Sequence, residues 1–198
     1  MNLDKKFFST SRIAALSDGI FAIAMTLLVL NISIPDSELV KQIGLLEALN
    51  GQIQEFISYF LSFFLLGIFW IIQHKQMNVI EQTDSTYIWL NILLLLFICL
   101  IPFSSSLQSD FINNPISSAI FNGNMLIIGI CFLINWMYAT KNHKLIPKDY
   151  SNNNIVRGKM NVLIFIFVTI AATIFGLFAP EYSGMVYILV PILKAIIK

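Results

Sequence analysis

The residues able to do chemistry in this 198-residue chain gather near its start. Positions 11–35 read SRIAALSDGIFAIAMTLLVLNISIP, an apolar run interrupted by Ser17, Asp18, Thr26 and Asn31 and preceded by Arg12 at its edge. Polar groups in such a run are costly in hydrocarbon, and a central aspartate costs roughly 2.5–3.5 kcal/mol on insertion scales. Asp18 lies about 9 Å along a helix axis from Arg12, at ~1.5 Å per residue, so it sits nearer the end of the run than its centre. A second apolar run closes with FWIIQHK, carrying Trp70 and His74. A carboxylate, a hydroxyl, a guanidinium and an imidazole at one depth can satisfy one another. Asp18 with His74 could alternatively form a proton relay. Hydrolytic and metal chemistry find no foothold. His74 and His143 lie far apart, and no H-E-x-x-H or G-x-S-x-G occurs. Cys99 and Cys131 stand in apolar runs without CxxC spacing and read as small apolar fillers. Ser104, Ser105 and Ser106 after Pro102 read as a helix break rather than a nucleophile. No catalytic residue, metal site or cofactor is expected, and the chain is not read as an enzyme.

Helical geometry divides the first run into two faces. At about 100° per residue, Leu16, Gly19, Ile23, Leu27 and Leu30 fall on one stripe, with Thr26 at its edge. Ser17 and Asp18 point about 120–140° away from Ile23 by the same arithmetic. The apolar stripe and the polar pair must therefore meet different partners.

The elements that position these residues follow from composition. The chain is 57% hydrophobic and 12% charged, with 17 phenylalanines and a mean hydropathy of +0.78. A soluble domain is about 45–50% apolar and about 25% charged, so a soluble enzyme and a disordered chain are excluded. A formal net charge of +1 offers nothing to nucleic-acid phosphates. The chain reads as one all-α integral membrane domain over residues 1–198. Six stretches approach the ~20 residues a span requires: Ile13–Ile34, Phe56–Ile72, Tyr87–Phe103, Ala119–Ala139, Val162–Ala179 and Gly184–Ile197. The last is short and broken by Pro191. Lys5, Lys6 and Arg12 before the first stretch imitate a signal peptide, but no small-x-small site follows, so it is read as a retained span.

Six spans place eleven of the twelve basic residues on one side, which the positive-inside rule makes cytoplasmic, together with both termini. Only Lys41 lies opposite, beside Asp36, Glu38, Glu47 and Glu55. Those acids could concentrate cations at an outer mouth, though screening over ~8 Å limits the effect. The outer link SELVKQIGLLEALNGQ suggests a short amphipathic interfacial helix, and the inner link KNHKLIPKDYSNNNIVRGK a solvated basic loop. The internal repeats of many secondary transporters are missing.

Arg12-x-x-x-Leu16-Ser17-Asp18-Gly19 followed by AIAMTLLVL resembles the first-span signature of the transmembrane-protein-175 potassium channels, R-x-x-x-F-S-D and then T-L-L-x-L. The six-span layout and the Trp70/His74 pair agree with that family. Leu16 replaces the usual Phe, and Asn31 stands where bacterial members often have an acid. The resemblance implies a homotetramer in the cell membrane, with the first span of each subunit lining a central pore and no TVGYG filter. It implies apolar rings at Ile23, Leu27 and Leu30, and a hydroxyl layer at Thr26 that sets a weak preference for potassium over sodium. It also implies a polar network of Arg12, Ser17, Asp18, Trp70 and His74 that holds the pore helices to the second span and the neighbouring subunit. Potassium would be the permeant ion, with no cofactor and no soluble or nucleic-acid partner. A proton-coupled secondary transporter using Asp18 and His74 is the alternative.

Overall fold

A computed structural model of the protein describes residues 9–196; Lys5, Lys6, Lys198 and the last residue of the sixth apolar stretch lie outside it. The first span is an α-helix, α1 (Ser11–Leu27), tightened at its end into a 3-10 turn over Leu28–Asn31. Two short helices follow, α2 (Ser37–Ile43) and α3 (Leu45–Asn50), separated at Gly44, whose φ of 85° an L side chain rarely tolerates. They occupy the link where an amphipathic helix is expected. The second span is α4 (Ile53–Met77). Asp84 caps the third, accepting from the Tyr87 amide at 2.9 Å. That span runs as α5 (Ser85–Cys99) and α6 (Ile101–Asp110), interrupted at Leu100 just ahead of Pro102, which has no N–H to donate. Asn114 caps α7 (Pro115–Thr140) and Ser151 caps α8 (Asn152–Gly176).

Among the described residues, five helical segments are long and apolar enough to cross a membrane: Ser11–Asn31, Ile53–Met77, Ser85–Asp110, Pro115–His143 and Asn152–Gly176. The sixth stretch folds differently. A 3-10 segment over Pro180–Ile188 leads into the short helix α9 (Leu189–Ile196). Its 3-10 part rises about 2.0 Å per residue against ~1.5 Å in an α-helix, so the segment reaches further than its residue count suggests.

The spans pack around an aromatic centre. Phe69 of α4 meets Phe165 of α8 edge-on at 4.9 Å and Phe132 of α7 at 5.9 Å, with Phe21 of α1 in the same buried cluster. Hydroxyl and amide groups join the helices where aliphatic packing ends. Ser58 and Ser62 of α4 bond Ser105 of α6 at 3.0 and 2.7 Å, and Tyr187 donates to Asn122 of α7 at 2.8 Å. Ser104 donates to the Ile101 carbonyl at 3.2 Å and accepts from Asn124, so the serine run after Pro102 serves packing. Cys131 belongs to the core, whereas Cys99 is exposed on α5.

The inner link is less solvated than its composition suggests. Leu145 and Ile146 are buried with Ile13, Met77, Ile80, Tyr87 and Ala139, and the Leu145 carbonyl accepts from the Glu81 amide at 3.0 Å. Lys144 pairs with Asp84 at 2.8 Å, and Tyr138 donates to the same carboxylate oxygen at 2.7 Å. Burial alone would push the Asp84 carboxyl upward. The hydrogen bonds from Lys144, the Tyr87 amide and Tyr138, with the lysine charge, outweigh it and hold the group below the usual carboxylate range. A lowered folded-state value stabilises the fold above the unfolded-state pKa of about 3.9, and the gain is lost as pH falls through the folded value. Asp84→Asn is therefore expected to cost roughly 1.5–3 kcal/mol at neutral pH. The check is the thermal midpoint of detergent-purified protein: the gap to wild type should close in acid below the ordinary carboxylate range. A gap that stays constant down to acid unfolding would show that the charge contributes nothing.

Candidate functional site

The first helix is held by one face and left bare on the other. Ile13, Ser17, Phe21, Ala24 and Leu28 are buried, a spacing of three and four residues that marks the side turned to the other spans. Opposite them, Ile23 is 59% exposed, Leu27 43% and Leu30 75%, with Leu16 and Gly19 also uncovered. The stripe survives the change of helix type because residues three apart eclipse in a 3-10 turn, which keeps Leu30 in line with Leu27. Thr26 stands exposed beside it and donates its hydroxyl proton to the Ile23 carbonyl at 2.9 Å. With that proton committed to the helix, the oxygen lone pairs are what Thr26 offers outward.

The polar residues occupy the flank turned to α4. Trp70 donates its indole N–H to Asp18 Oδ1 at 2.8 Å, and its ring stacks on His74 with centroids 5.4 Å apart. His74 shares a hydrogen bond with Asn78 at 3.0 Å. Trp70 thus separates the carboxylate from the imidazole. An indole N–H is far too weak an acid to hand its proton on, so Asp18 and His74 make no direct proton relay in this structure. Ser17 joins a different set: Gln73 donates to its hydroxyl at 3.4 Å and to Asn91 Oδ1 at 2.8 Å. Arg12 is exposed at the start of α1 and makes no hydrogen bond or ion pair among the described residues. Of the five polar residues singled out, the structure links Asp18, Trp70 and His74 directly. It ties Ser17 to the bundle separately and leaves Arg12 apart.

Gln73 and Asn91 are the residues positioning α1 that the sequence pattern does not single out. Both are buried, and together they join α1, α4 and α5 through one amide chain. The available signal was a lone amide within YIWLNILLLLF, since an intramembrane polar group needs a partner. A similar tie secures the other end of α1, where Asn31 donates to the Pro102 carbonyl at 2.8 Å and Glu55 accepts from the Ser33 amide at 2.6 Å. Of the outer acids, Asp36 caps α2 and Glu38 pairs with Lys41 at 2.8 Å, so these groups are partly engaged locally. Along α1 and α4 the bonded partners run Ser17 to Gln73, Asp18 to Trp70 and Ser33 to Glu55, an antiparallel register pinned at both ends.

Five apolar crossings, polar side chains paired inward and an uncovered apolar stripe define a multi-pass α-helical membrane protein. Residues 12–102 match the family model described as endosomal/lysosomal potassium channel TMEM175. A potassium channel of Chamaesiphon minutus is 30% identical over 149 residues, covering 74% of this chain and 73% of that protein. The endosomal/lysosomal proton channel TMEM175 of Gallus gallus is 36% identical over 112 residues, but these cover 52% of this chain and only 22% of the longer protein. The crystal structure of a lysosomal potassium-selective channel TMEM175 homolog from Chamaesiphon minutus superposes with a TM-score of 0.84 at 25% identity, covering 94% of this chain and 96% of that one. The chain belongs to the TMEM175 family, a family of ion channels and not of enzymes.

The amide chain yields a double comparison. Gln73→Ala leaves Ser17 and the Asn91 carbonyl unpaired, and is expected to lower stability by about 1–3 kcal/mol. Gln73→Leu with Asn91→Leu removes the main donor and acceptor together and should recover at least half of that loss in the thermal midpoint. A double variant as unstable as the sum of its singles would show that the amides act through something other than pairing.

Proposed function

We propose that this protein is a potassium-permeable cation channel, weakly selective over sodium, formed by four copies around a central axis lined by α1. The observation that carries the reading is the uncovered stripe on a helix whose other face is tied to the bundle: Ile23, Leu27 and Leu30 are exposed while Phe21 and Leu28 are buried. Four such stripes facing one axis make successive apolar rings, which close a pore by dewetting and open it by modest widening. A constriction of this kind needs no TVGYG filter, and the sequence contains no G-x-G. Thr26 supplies an oxygen layer beside Ile23, and hydroxyl lone pairs without a backbone-carbonyl cage discriminate weakly between cations. Ser17, Asp18, Trp70 and His74 serve as the positioning set that holds α1 to α4, and Arg12, which meets none of them within one copy, is assigned to the neighbouring copy. The basic residues then face the cytoplasm at the cell membrane, with the sixth stretch crossing as a partly 3-10 span and both termini inside.

The reading is supported by relatives whose names denote potassium channels; those of animals denote proton channels. Flux through purified protein in liposomes tests it, with potassium and then sodium as the only permeant ion. Faster potassium uptake that vanishes when its gradient is collapsed is expected. Uptake that requires a proton gradient would replace the channel by a coupled transporter. Ile23→Asn should hydrate the narrowest ring and raise flux of both ions, and unchanged flux would place Ile23 against lipid or protein instead. Thr26→Ala should reduce the potassium preference without abolishing flux. Asp18→Ala should reduce the yield of assembled oligomer more than it alters permeation, because Asp18 points away from the stripe. A normal yield with altered ion preference would overturn that assignment.

A further inference from the structure

At the basic end of the bundle, between α4, α7 and α8, lies a cavity of about 200 Å³ that plays no part in the permeation reading. Lys75 from the last turn of α4 and Arg157 from the second turn of α8 line it, and neither is paired with a carboxylate among the described residues. Gln76 lines it too. That side chain is only 5% exposed, yet its amide nitrogen and oxygen both lack a hydrogen-bond partner. Buried amides are almost always satisfied, so this one, which lines the cleft, is open to a polar partner from outside the chain, whereas the equally unpaired Asn135 does not line it. Trp136 forms the back wall. Its N–H is committed to the Ile155 carbonyl at 2.9 Å, and its ring lies so close to Gly158 that a Cβ there would stand 2.6 Å from it. Ile72 adds an apolar wall on the membrane side.

These features specify the ligand's chemistry. Two cations without a carboxylate partner favour an anion between them, and Arg157 offers the fork that matches phosphate oxygens. Lys75 and Arg157 lie in the terminal turns of their spans, where basic clefts between helices take anionic lipid headgroups, and Trp136 lies further in. We infer that this cleft binds the phosphate of an anionic membrane lipid, with Lys75 and Arg157 on the phosphate, Gln76 turned to it as an uncharged hydrogen-bond donor, and the start of the lipid's apolar part against Ile72. The inference stands independently of permeation.

Titration of the purified full-length protein in detergent tests it, reading the thermal unfolding midpoint with short-chain phosphatidylglycerol, short-chain phosphatidylcholine or inorganic phosphate. Phosphatidylglycerol should raise the midpoint and phosphatidylcholine should not. Lys75→Gln with Arg157→Gln should weaken the apparent affinity roughly thirtyfold while leaving the ligand-free midpoint unchanged, since both side chains are exposed. Arg157→Lys, which keeps the charge and loses the fork, should fall between. Lys141→Gln with Lys148→Gln removes equal charge from the same side outside the cleft and should respond as wild type. An equal response to phosphatidylcholine, a full response in the cleft variant, or an equal loss in the control pair would overturn the site. Inorganic phosphate alone reproducing the whole rise would overturn the lipid as the ligand and leave a free-anion site.

Discussion

A polar atom inside a bilayer has no water to fall back on, so its partner must come from the protein, and that partner then fixes where its helix stands. In this molecule the requirement acts most strongly on α1. Asp18 is answered by Trp70 and Ser17 by Gln73, which is itself anchored on Asn91. These bonds set the depth and rotation of α1 together. Once they are made, the opposite face can carry only what the outside of the bundle accepts, and it carries Ile23, Leu27 and Leu30.

The same logic explains the ends of the bundle. At the end away from the basic residues α1 tightens into a 3-10 turn, and Asn31 reaches the carbonyl of Pro102, beside the place where the third span breaks. Two irregularities thus meet and satisfy each other. At the basic end the short links act as structure. Lys144, Asp84 and Tyr138 form a charged clamp, and Leu145 and Ile146 are buried beneath it. The helices are therefore tied together at both ends of the bundle, α1 among them.

Much of the site is legible in the residue pattern alone. The two-face arithmetic on the first span separates Ile23 and Leu27 from Ser17 and Asp18, and the folded chain puts the two sets on opposite flanks. The similar depth of Asp18 and the FWIIQHK end follows from antiparallel neighbours. Pairing is what the pattern does not reveal. Trp70, and not His74, meets Asp18, and Ser17 belongs to an amide chain whose members lie 56 and 18 residues apart in sequence. Nothing local distinguishes Gln73 from His74 as the residue that turns inward; one helical step, about 100°, decides it. The inner link misleads for a related reason, because the charges in KNHKLIPKD conceal two residues that dock.

By itself the sequence determined an all-α membrane protein, six apolar stretches of which five fold as helices long enough to span, the apolar stripe on the first and the family signature around Asp18. These are properties of composition and helical period, which neighbouring residues impose without reference to the rest of the chain. The tertiary structure alone decided which polar group answers which, how the sixth stretch folds into a partly 3-10 segment, and that Lys75, Gln76 and Arg157 share one cleft. Those outcomes depend on distances between helices far apart in sequence, and such distances exist only once the core around Phe69 has packed.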